Sequence, residues 1–547
     1  MELIITFIGG FAIFLYGMNQ MGKGLQKAAG NKMKQLLAVL TNNRFLGVIV
    51  GALVTAIVQS SSATTVMIVG FVNAGLLNLT QAVGVIMGAN IGTTITSWVV
   101  AMGEWSKYLK PDNMAPVAIA IGAYLMFFTK DKKKKQIGEI FVGFGMLFIG
   151  LGFMSDAVKP YRTSPVFKEA FKAFGENPFL GILVGAVVTF LVQSSSASVG
   201  ILQTIAAATF LPFNAAVYII LGQNIGTCMT ALLSSIGANK TAKRAAYIHL
   251  LFNIIGTIIF TVGIIIFFTY INPEMGYTET TMTSISIFHT IFNVGSTLLL
   301  FPFASYLVHL SGKIVRGQDK PDASNQDTVL RHLDERILET PSFAVENAIK
   351  EVVYMGRLAI ENTKIATEAL LERDVEKYQK AKENEKHINK IERLITDYLV
   401  KISNTSINEH QKQIVNNLFN SINDIERVGD HAENIAELAE YHMANDLYLS
   451  DDALQELTQM IQKTIETIEL AIDARENEDI EAIRKVIQNE EIVDTLEEEL
   501  RERHIKRLSQ NLCTATTGVV FLDTISNLER ISDHALNIAY YVKDEIL

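Results

Sequence analysis

The sequence predicts an all-α chain in two parts. The first is a polytopic membrane protein with inverted-topology repeats and two re-entrant hairpins; the second is a soluble helical domain of two tandem three-helix bundles. Three observations carry this prediction. Apolar runs of 15 to 25 residues recur up to about residue 310, most of them long enough to span a bilayer. A 53-residue segment of this part occurs twice, 134 residues apart. From about Asp319 onward the chain is dense in Glu, Lys, Asp and Arg with apolar residues at helical spacing, and no run there could cross a membrane.

The first run, residues 3 to 18 within MELIITFIGGFAIFLYGM, lacks a positive flank and a small-residue cleavage site. It therefore reads as a retained helix rather than a signal peptide. Residues 45 to 77 form two short apolar arms broken at Gln59-Ser60-Ser61-Ser62, the pattern of a re-entrant hairpin, and residues 83 to 103 and 115 to 129 each cross. Repeat 1, about 1–130, thus crosses three times. Repeat 2, about 136–270, opens with IGEIFVGFGMLFIGLGFM from Ile137, whose Gly145 and Gly152 align with Gly10 and Gly17, and closes with the long run from Ala245. An odd number of crossings makes the second unit enter from the opposite side, so the two are inverted copies, as in many secondary transporters. An extra helix, 283–308, brings the total to seven crossings and two hairpins.

Phe45–Ser97 aligns with Phe179–Ala231 without a gap and with 25 of 53 positions identical, the mark of an internal duplication. Lys23, Lys27, Lys32, Lys34 and Arg44, the DKKKK run at 131–135, and Lys240, Lys243 and Arg244 fall on one side, while loop 272–280 has no Lys or Arg. The basic side is expected to be cytoplasmic, which puts the N-terminus outside and the tail inside. The formal charge of −10 arises mostly in the tail, and nothing resembles a basic stripe, which argues against nucleic acid as a partner. Two cysteines, Cys228 and Cys513, are too few for a disulfide framework.

Broken backbone at membrane depth is tolerated only where protein or a water-filled cavity satisfies it, so the QSSS breaks should line something. If each second arm starts near the serines, its free N–H groups and positive dipole end point at the tip. The hydroxyls of Ser60, Ser61 and Ser62, and of Ser194, Ser195 and Ser196, join them. This suits a small oxyanion with several acceptors. No Lys or Arg lies inside any spanning segment, so a bound anion calls for co-bound cations, which favours coupling to sodium. GANIGTTIT (88–96) and GQNIGTCMT (222–230) offer Asn90, Thr93, Asn224 and Thr227 as neutral oxygen ligands beside glycines that allow the helix to unwind. The plain alternative is that these hydroxyls glue helices together; retention of both motifs at one separation in two diverged copies favours binding. His249 with Asn253 and His289 with Asn293 repeat a spacing of four on one helix face. Proton carriage and structural hydrogen bonding are both open for them.

With QSSSATT and GANIGTT in one copy and QSSSASV and GQNIGT in the other, the chain closely resembles the type II sodium-phosphate cotransporter family. More narrowly, it resembles the bacterial members that carry a C-terminal PhoU-like domain. The resemblance covers nearly the whole chain, including KRAAYIHLLFN at 243–253, which the first copy lacks. It implies phosphate and sodium sites at Gln59–Ser62 and Gln193–Ser196, with phosphate on the serines. Sodium falls to Gln59, Asn90, Thr93, Thr94, Gln193, Asn224 and Thr227; Cys228 stands where Thr94 would have its counterpart. The implied function is sodium-driven uptake of inorganic phosphate across the bacterial inner membrane. Transport of another small oxyanion, or a membrane-tethered phosphate sensor, are the alternatives. No enzyme is implied, and no G-x-x-x-x-G-K-[ST] loop points to ATP.

The domain scheme is 1–310 membrane, 311–328 linker and 329–547 soluble, with RGQDKPDASNQDT (316–328) as a flexible connector. The tail is itself duplicated: NEKHINKIERL from Asn384 against NEEIVDTLEEEL from Asn489, and NDIERVGDHAENI from Asn423 against SNLERISDHALNI from Ser526. Each copy sets Glu and Asp four apart, Glu426 with Asp430 and Glu529 with Asp533, followed by Asn434 and Asn537. Such like-charge pairs destabilise an isolated helix by roughly 0.2–0.5 kcal/mol, so their repetition suggests a cation or a basic partner. Neutralisation by Arg427, Arg530, His431 and His534 is the alternative. The PhoU resemblance implies iron or another divalent metal there, and a homo-oligomer or a phosphate-response signalling protein as partner.

Overall fold

Two glutamines set the turns of the membrane part. In the computed structural model, which describes residues 2–29, 43–105, 111–317 and 333–546, helix α2 (Arg44–Val58) ends at Gln59 in the left-handed conformation (φ 58°, ψ 22°). Ser60 is extended, its hydroxyl accepts the Ala63 N–H at 3.1 Å, and α3 (Ser61–Asn73) begins. The second copy repeats each step. Helix α9 (Pro178–Val192) ends at Gln193 (φ 54°, ψ 23°), Ser194 caps through the Ala197 N–H at 3.3 Å, and α10 (Ser195–Ala208) begins. A left-handed non-glycine residue costs roughly 1–2 kcal/mol. Both copies bear that cost, so the hairpin geometry is held by its surroundings.

Glycines supply those surroundings. Helix α1 (Glu2–Ala29) packs on α7 (Lys132–Val158) with Gly17 against Gly143 and Leu147, and Gly10 against Gly150 and Phe153. As residue numbers rise in one they fall in the other, so the helices are antiparallel. Helix α4 (Leu79–Gly92) continues after Thr93 as α5 (Thr94–Ala101), whereas the second copy keeps one helix, α11 (Phe213–Ser234). A Cβ on Gly88 would overlap the Val48 carbonyl oxygen, and one on Gly222 the Ile182 carbonyl oxygen; both pairs are related by the 134-residue offset. The expected unwinding beside these glycines does not occur, since Thr93 keeps helical angles (φ −64°, ψ −22°) and α11 is unbroken. Their role is close approach of backbones.

Helices α6 (Pro111–Phe128), α8 (Pro165–Glu176), α12 (Lys240–Ile266), α13 (Met282–Leu300) and α14 (Ala304–Ile314) complete this part. Six described helical stretches are long and apolar enough to cross a membrane, and α6, expected as a seventh crossing, is apolar but shorter. Helix α8, which the apolar pattern does not reveal, meets α9 at a 111° bend. Beside an apolar core, large apolar side chains also face outward and polar ones inward: Phe128 and Phe179 are 78% and 84% exposed, while Thr64, Thr189 and Asn253 are fully buried. Such a surface requires lipid.

The chain divides into two compact units, and Asp334–Phe343 belongs to the first, with the membrane helices. The described residues of the second unit are helices joined by short turns. Helices α15 (Pro341–Glu372), α16 (Val375–Ser403) and α17 (Glu409–Ala444) form one triplet; α18 (Asp451–Asn477), α19 (Ile480–Ser509) and α20 (Ala515–Ile546) form the next. Asp374, Asn408, Ser450 and Asp479 cap four of them. Lys32, Lys34 and most of the expected connector, 318–328, lie outside the described residues.

Candidate functional site

The two serine tips meet. Ser61 Oγ and Ser195 Oγ, the first residues of α3 and α10, are 3.0 Å apart, and Thr93 Oγ1 is 3.3 Å from Ser195 Oγ. Ser196 donates to Thr96 Oγ1 at 3.4 Å, and Thr96 donates to Gln59 Oε1 at 3.0 Å. Ser62 Oγ is buried without a hydrogen-bond partner. Two helix N-termini therefore converge, together equivalent to roughly one positive charge. From Phe45 to Gly103 and from Pro178 to Asn239 the sequence has no Asp, Glu, Lys or Arg, so beyond Arg44 at the far end of α2 the hairpin arms and tips carry no charge of their own.

The other expected ligands are distributed unevenly. Asn90 and Asn224 each donate their amide to the carbonyl four residues back, Ile86 and Ile220, at 2.9 Å, which leaves the amide oxygens as acceptors. Asn253 Nδ2 lies 3.5 Å from Asn90 Oδ1. Thr94 and Thr227 donate to Ile91 O and Gln223 O, so neither joins the serine cluster by a hydrogen bond. Cys228, in the place of Thr94, bonds the Asn224 and His249 carbonyls. Gln59 is buried, and Gln193 is exposed. Ser60 and Ser194 accept a backbone N–H each, yet a hydroxyl that accepts can still donate.

Several residues at the site are not evident from the sequence. Thr55 clasps Thr64 at 3.1 Å and Thr189 clasps Ser198 at 2.7 Å, tying the two arms of each hairpin together at the same offset. The identity of Thr55 and Thr189, and a hydroxyl kept at Thr64 and Ser198, were the available signal, as was the identity of Thr96 and Thr230. Gln203, fully buried, donates to Ser97 O at 2.9 Å and Ser286 Oγ at 3.0 Å, fastening α10 to α5 and α13; Gln223 donates to Ser198 O at 3.0 Å. The first copy has Val69 and Ala89 at these positions, so no repetition marks them. In both His/Asn pairs the Asn amide donates to the His carbonyl, at 3.0 Å for Asn253 and 2.8 Å for Asn293. That bond accounts for the spacing of four. Both ring nitrogens of His249 are buried without a partner.

A second constellation lies in the second unit. Asp533 meets Glu490 and Asp494 with ligand oxygens within 4.8 Å of one another. Glu490 is pushed up to about 7 by burial and by Asp494 and Asp533. In the first triplet Glu385, 1% exposed, has both carboxylate oxygens unpartnered against Gly429. Burial and the neighbouring Asp430, Glu433 and Glu426 push it up to about 8. Burial, then Asp430 and Asp533 respectively, raise Glu426 and Glu529 as well. Glu385, Glu490 and Asp494 sit in the duplicated NEKHIN and NEEIVD segments, a signal available in the sequence. The hydrogen bonds of the histidines go elsewhere, His534 Nδ1 to Asp424 Oδ1 at 2.7 Å and His431 Nδ1 to Asn527 Oδ1 at 2.8 Å, while Arg427 and His534 act on Glu426 only through space and do not offset its burial. Arg530 does reach Asp533, at 3.2 Å. Converging carboxylates and an unpartnered buried one fit a divalent cation.

Comparison with known proteins agrees with this division. Residues 13–156 and 161–295, just over half of the chain, match the Na+/Pi-cotransporter family, and residues 352–439 and 457–542 match the PhoU domain. The chain is 24% identical over 551 residues to Escherichia coli YjbB, named for inorganic phosphate export; the alignment spans 100% of this chain and 98% of that one. It is 30% identical over 317 residues to the uncharacterised Bacillus subtilis protein YqeW, covering 57% of this chain and 98% of the other. A 110-residue stretch is 36% identical to human sodium-dependent phosphate transport protein 2B, covering 19% of this chain and 16% of the relative. The chain belongs to the Na+/Pi-cotransporter family and carries PhoU sequence in its C-terminal part.

Proposed function

We propose that this chain is a secondary active transporter that couples sodium entry to uptake of inorganic phosphate, with the paired hairpin tips as the phosphate site. The observation that carries the reading is the 3.0 Å approach of Ser61 and Ser195 at two converging helix N-termini in an uncharged surround. Ser60, Ser61, Ser62, Ser194, Ser195 and Ser196 supply hydroxyl donors, and the first free N–H groups of α3 and α10 complete the cradle. A doubly charged oxyanion exceeds the roughly single positive charge of two helix starts. The remainder falls to sodium, held by the side-chain oxygens of Gln59, Asn90, Thr93, Thr94, Gln193, Asn224 and Thr227.

The antiparallel packing of α1 on α7 supports inverted repeats, and Lys27, Arg44, Lys133, Lys240 and Lys243 at helix ends support a cytoplasmic basic face in the bacterial inner membrane, with the N-terminus outside. One observation favours a second reading of direction: the relative aligned over the whole chain is named for export. Proteoliposomes loaded or bathed with radiolabelled phosphate, each with sodium gradients of both signs, test coupling and direction together. Flux indifferent to sodium rejects the coupling; net sodium-driven flux out of the cytoplasmic side rejects uptake.

In the soluble unit we assign a divalent metal, iron among the candidates, to Glu490, Asp494, Glu529 and Asp533, and a second to Glu385, Glu426 and Asp430. The ion would neutralise carboxylates that otherwise repel one another, and so would tie helices of each triplet together.

A further inference from the structure

The outer end of the first hairpin is gripped by a segment from far along the chain. Asp334 caps the short 3₁₀ turn Glu335–Glu339 by accepting the Arg336 N–H at 2.9 Å. Its second carboxylate oxygen accepts Asn73 Nδ2 at 2.7 Å and pairs with Arg336 Nη1 at 2.8 Å. Asn73 closes α3, the arm whose other end is the Ser61 tip. Arg336 in turn donates through Nε to Ser234 O at 2.6 Å and through Nη2 to Ile236 O at 3.3 Å, at the C-terminal end of α11, where a helix presents its negative pole.

The apolar side of the segment is seated as firmly. Ile337 and Phe343 are fully buried, and the Phe343 ring meets Phe71 edge-on at 5.7 Å. Gly70 makes room for it: a Cβ there would lie 3.1 Å from Arg336 Cβ and 3.2 Å from Ile337 Cγ1. Asn73 also receives the Asn239 N–H at 2.8 Å, beside the start of α12 with Lys240 and Lys243. The segment thus bolts α3 of the first copy to α11 of the second at the basic face, roughly 20 Å of rigid helix from the serine tips.

We propose that Asp334–Phe343 is a strap that holds the route between the tips and the basic face closed while it is seated. The strap must lift from Asn73 and Ser234 before that side can open. Access that alternates around a fixed site needs the two copies to part at one face at a time, and here the Asn73–Asp334 bond with the buried Phe343 holds one copy while the Arg336 bonds to Ser234 and Ile236 hold the other. Phe343 lies in the first turn of α15, whose remainder belongs to the second unit. The proposal deepens the transport reading and rests on it for the meaning of the gate.

The test separates the two. In a Cys228→Ser, Cys513→Ser background, Ser62→Cys reports access to the tip from a membrane-impermeant thiol reagent supplied at the basic face. Removing the bolt with Asp334→Ala and Arg336→Ala together is expected to speed labelling about tenfold, within the range of ordinary coupling energies. Arg336→Lys, which keeps the cation at the helix end, should stay near the parent rate. Equal labelling with and without the bolt overturns the strap. In the same cysteine-free background without the reporter, Gly70→Cys with Arg336→Cys locks the strap on oxidation and should abolish flux reversibly; flux unchanged by locking likewise overturns it. If the parent with Ser62 intact never moves phosphate, yet the reporter labels in a strap-dependent way, the phosphate reading is rejected and the strap stands.

Discussion

Ser195→Ala is the perturbation most directly tied to the paired tips. Ser195 Oγ is in contact with both Ser61, at 3.0 Å, and Thr93, at 3.3 Å. Bonds between neutral hydroxyls contribute about 0.5–1.5 kcal/mol net to stability, whereas a bond to a charged group contributes about 1.5–3 kcal/mol. If the hydroxyl faces phosphate in the loaded site, its loss weakens binding by a factor of about 10 to 150. The folded protein loses only the smaller amount, since N-capping of α10 is done by Ser194 and is untouched. Calorimetric titration with phosphate at saturating sodium should show this shift in Kd, and a thermal melt should show a drop of a few degrees at most. An unchanged Kd in both Ser195→Ala and Ser61→Ala would falsify the oxyanion cradle and return the serines to interhelical packing. A collapse of folded yield with no affinity left to measure would also contradict the reasoning, because it would make the pair a structural bond first.

Other outcomes follow from the same geometry. Gly222→Ala forces a methyl into the Ile182 carbonyl, beyond the usual overpacking cost of about 1–3 kcal/mol, and should remove the monodisperse peak in size-exclusion chromatography; Gly152→Ala, with nothing within 4 Å of the new Cβ, should cost less than about 0.5 kcal/mol. Arg475 and Glu545 form an ion pair with side chains 1% and 4% exposed, so Arg475→Ala strands a buried carboxylate and should destabilise the soluble unit by about 3–5 kcal/mol in denaturant titration. The raised Glu490 and Glu385 hold protons up to about pH 7 and pH 8. Without metal their contribution to stability is present in acid and declines as pH rises through those values. With metal the sign reverses, because the cation displaces the proton. Stabilisation by added divalent ion should therefore grow from pH 6 to pH 8 and vanish in a Glu490→Gln, Glu385→Gln variant.

Much of the site was legible because it was written twice. The two QSSS breaks, the carboxylate pairs and the glycines of GANIGT and GQNIGT each stand out by repetition, and repetition survives where single-residue propensities are silent. What was not legible is what one copy has and the other lacks. Gln203 and Gln223 replace Val69 and Ala89, and only the folded chain places their amides on Ser97 and Ser198. The glycines were legible as positions but not as roles, since a helix that unwinds and a helix that packs closely ask for the same residue. The strap was hidden for another reason: Asp334–Phe343 looks like the start of a soluble helix, and its partners Asn73 and Ser234 are more than 90 residues away.

The two hairpins have the same turn geometry but not the same surroundings, and the difference bears on which of them moves. The first is bonded at both ends, its tip through Gln59 to Thr96 and its outer end through Asn73 to Asp334 and Asn239. The second exposes Gln193 at its tip, and against its arms lies a cavity of about 330 Å³ whose lining is apolar apart from Ser198 and Gln223. Displacing the first hairpin breaks the Asn73–Asp334 bond and unseats Phe343 from Phe71, whereas displacing the second breaks the Gln203 bonds to Ser97 and Ser286 with open space beside its arms. The route through the first hairpin then waits on the strap. Symmetry in the backbone supplies two equivalent gates; the unequal side chains give one of them a lock.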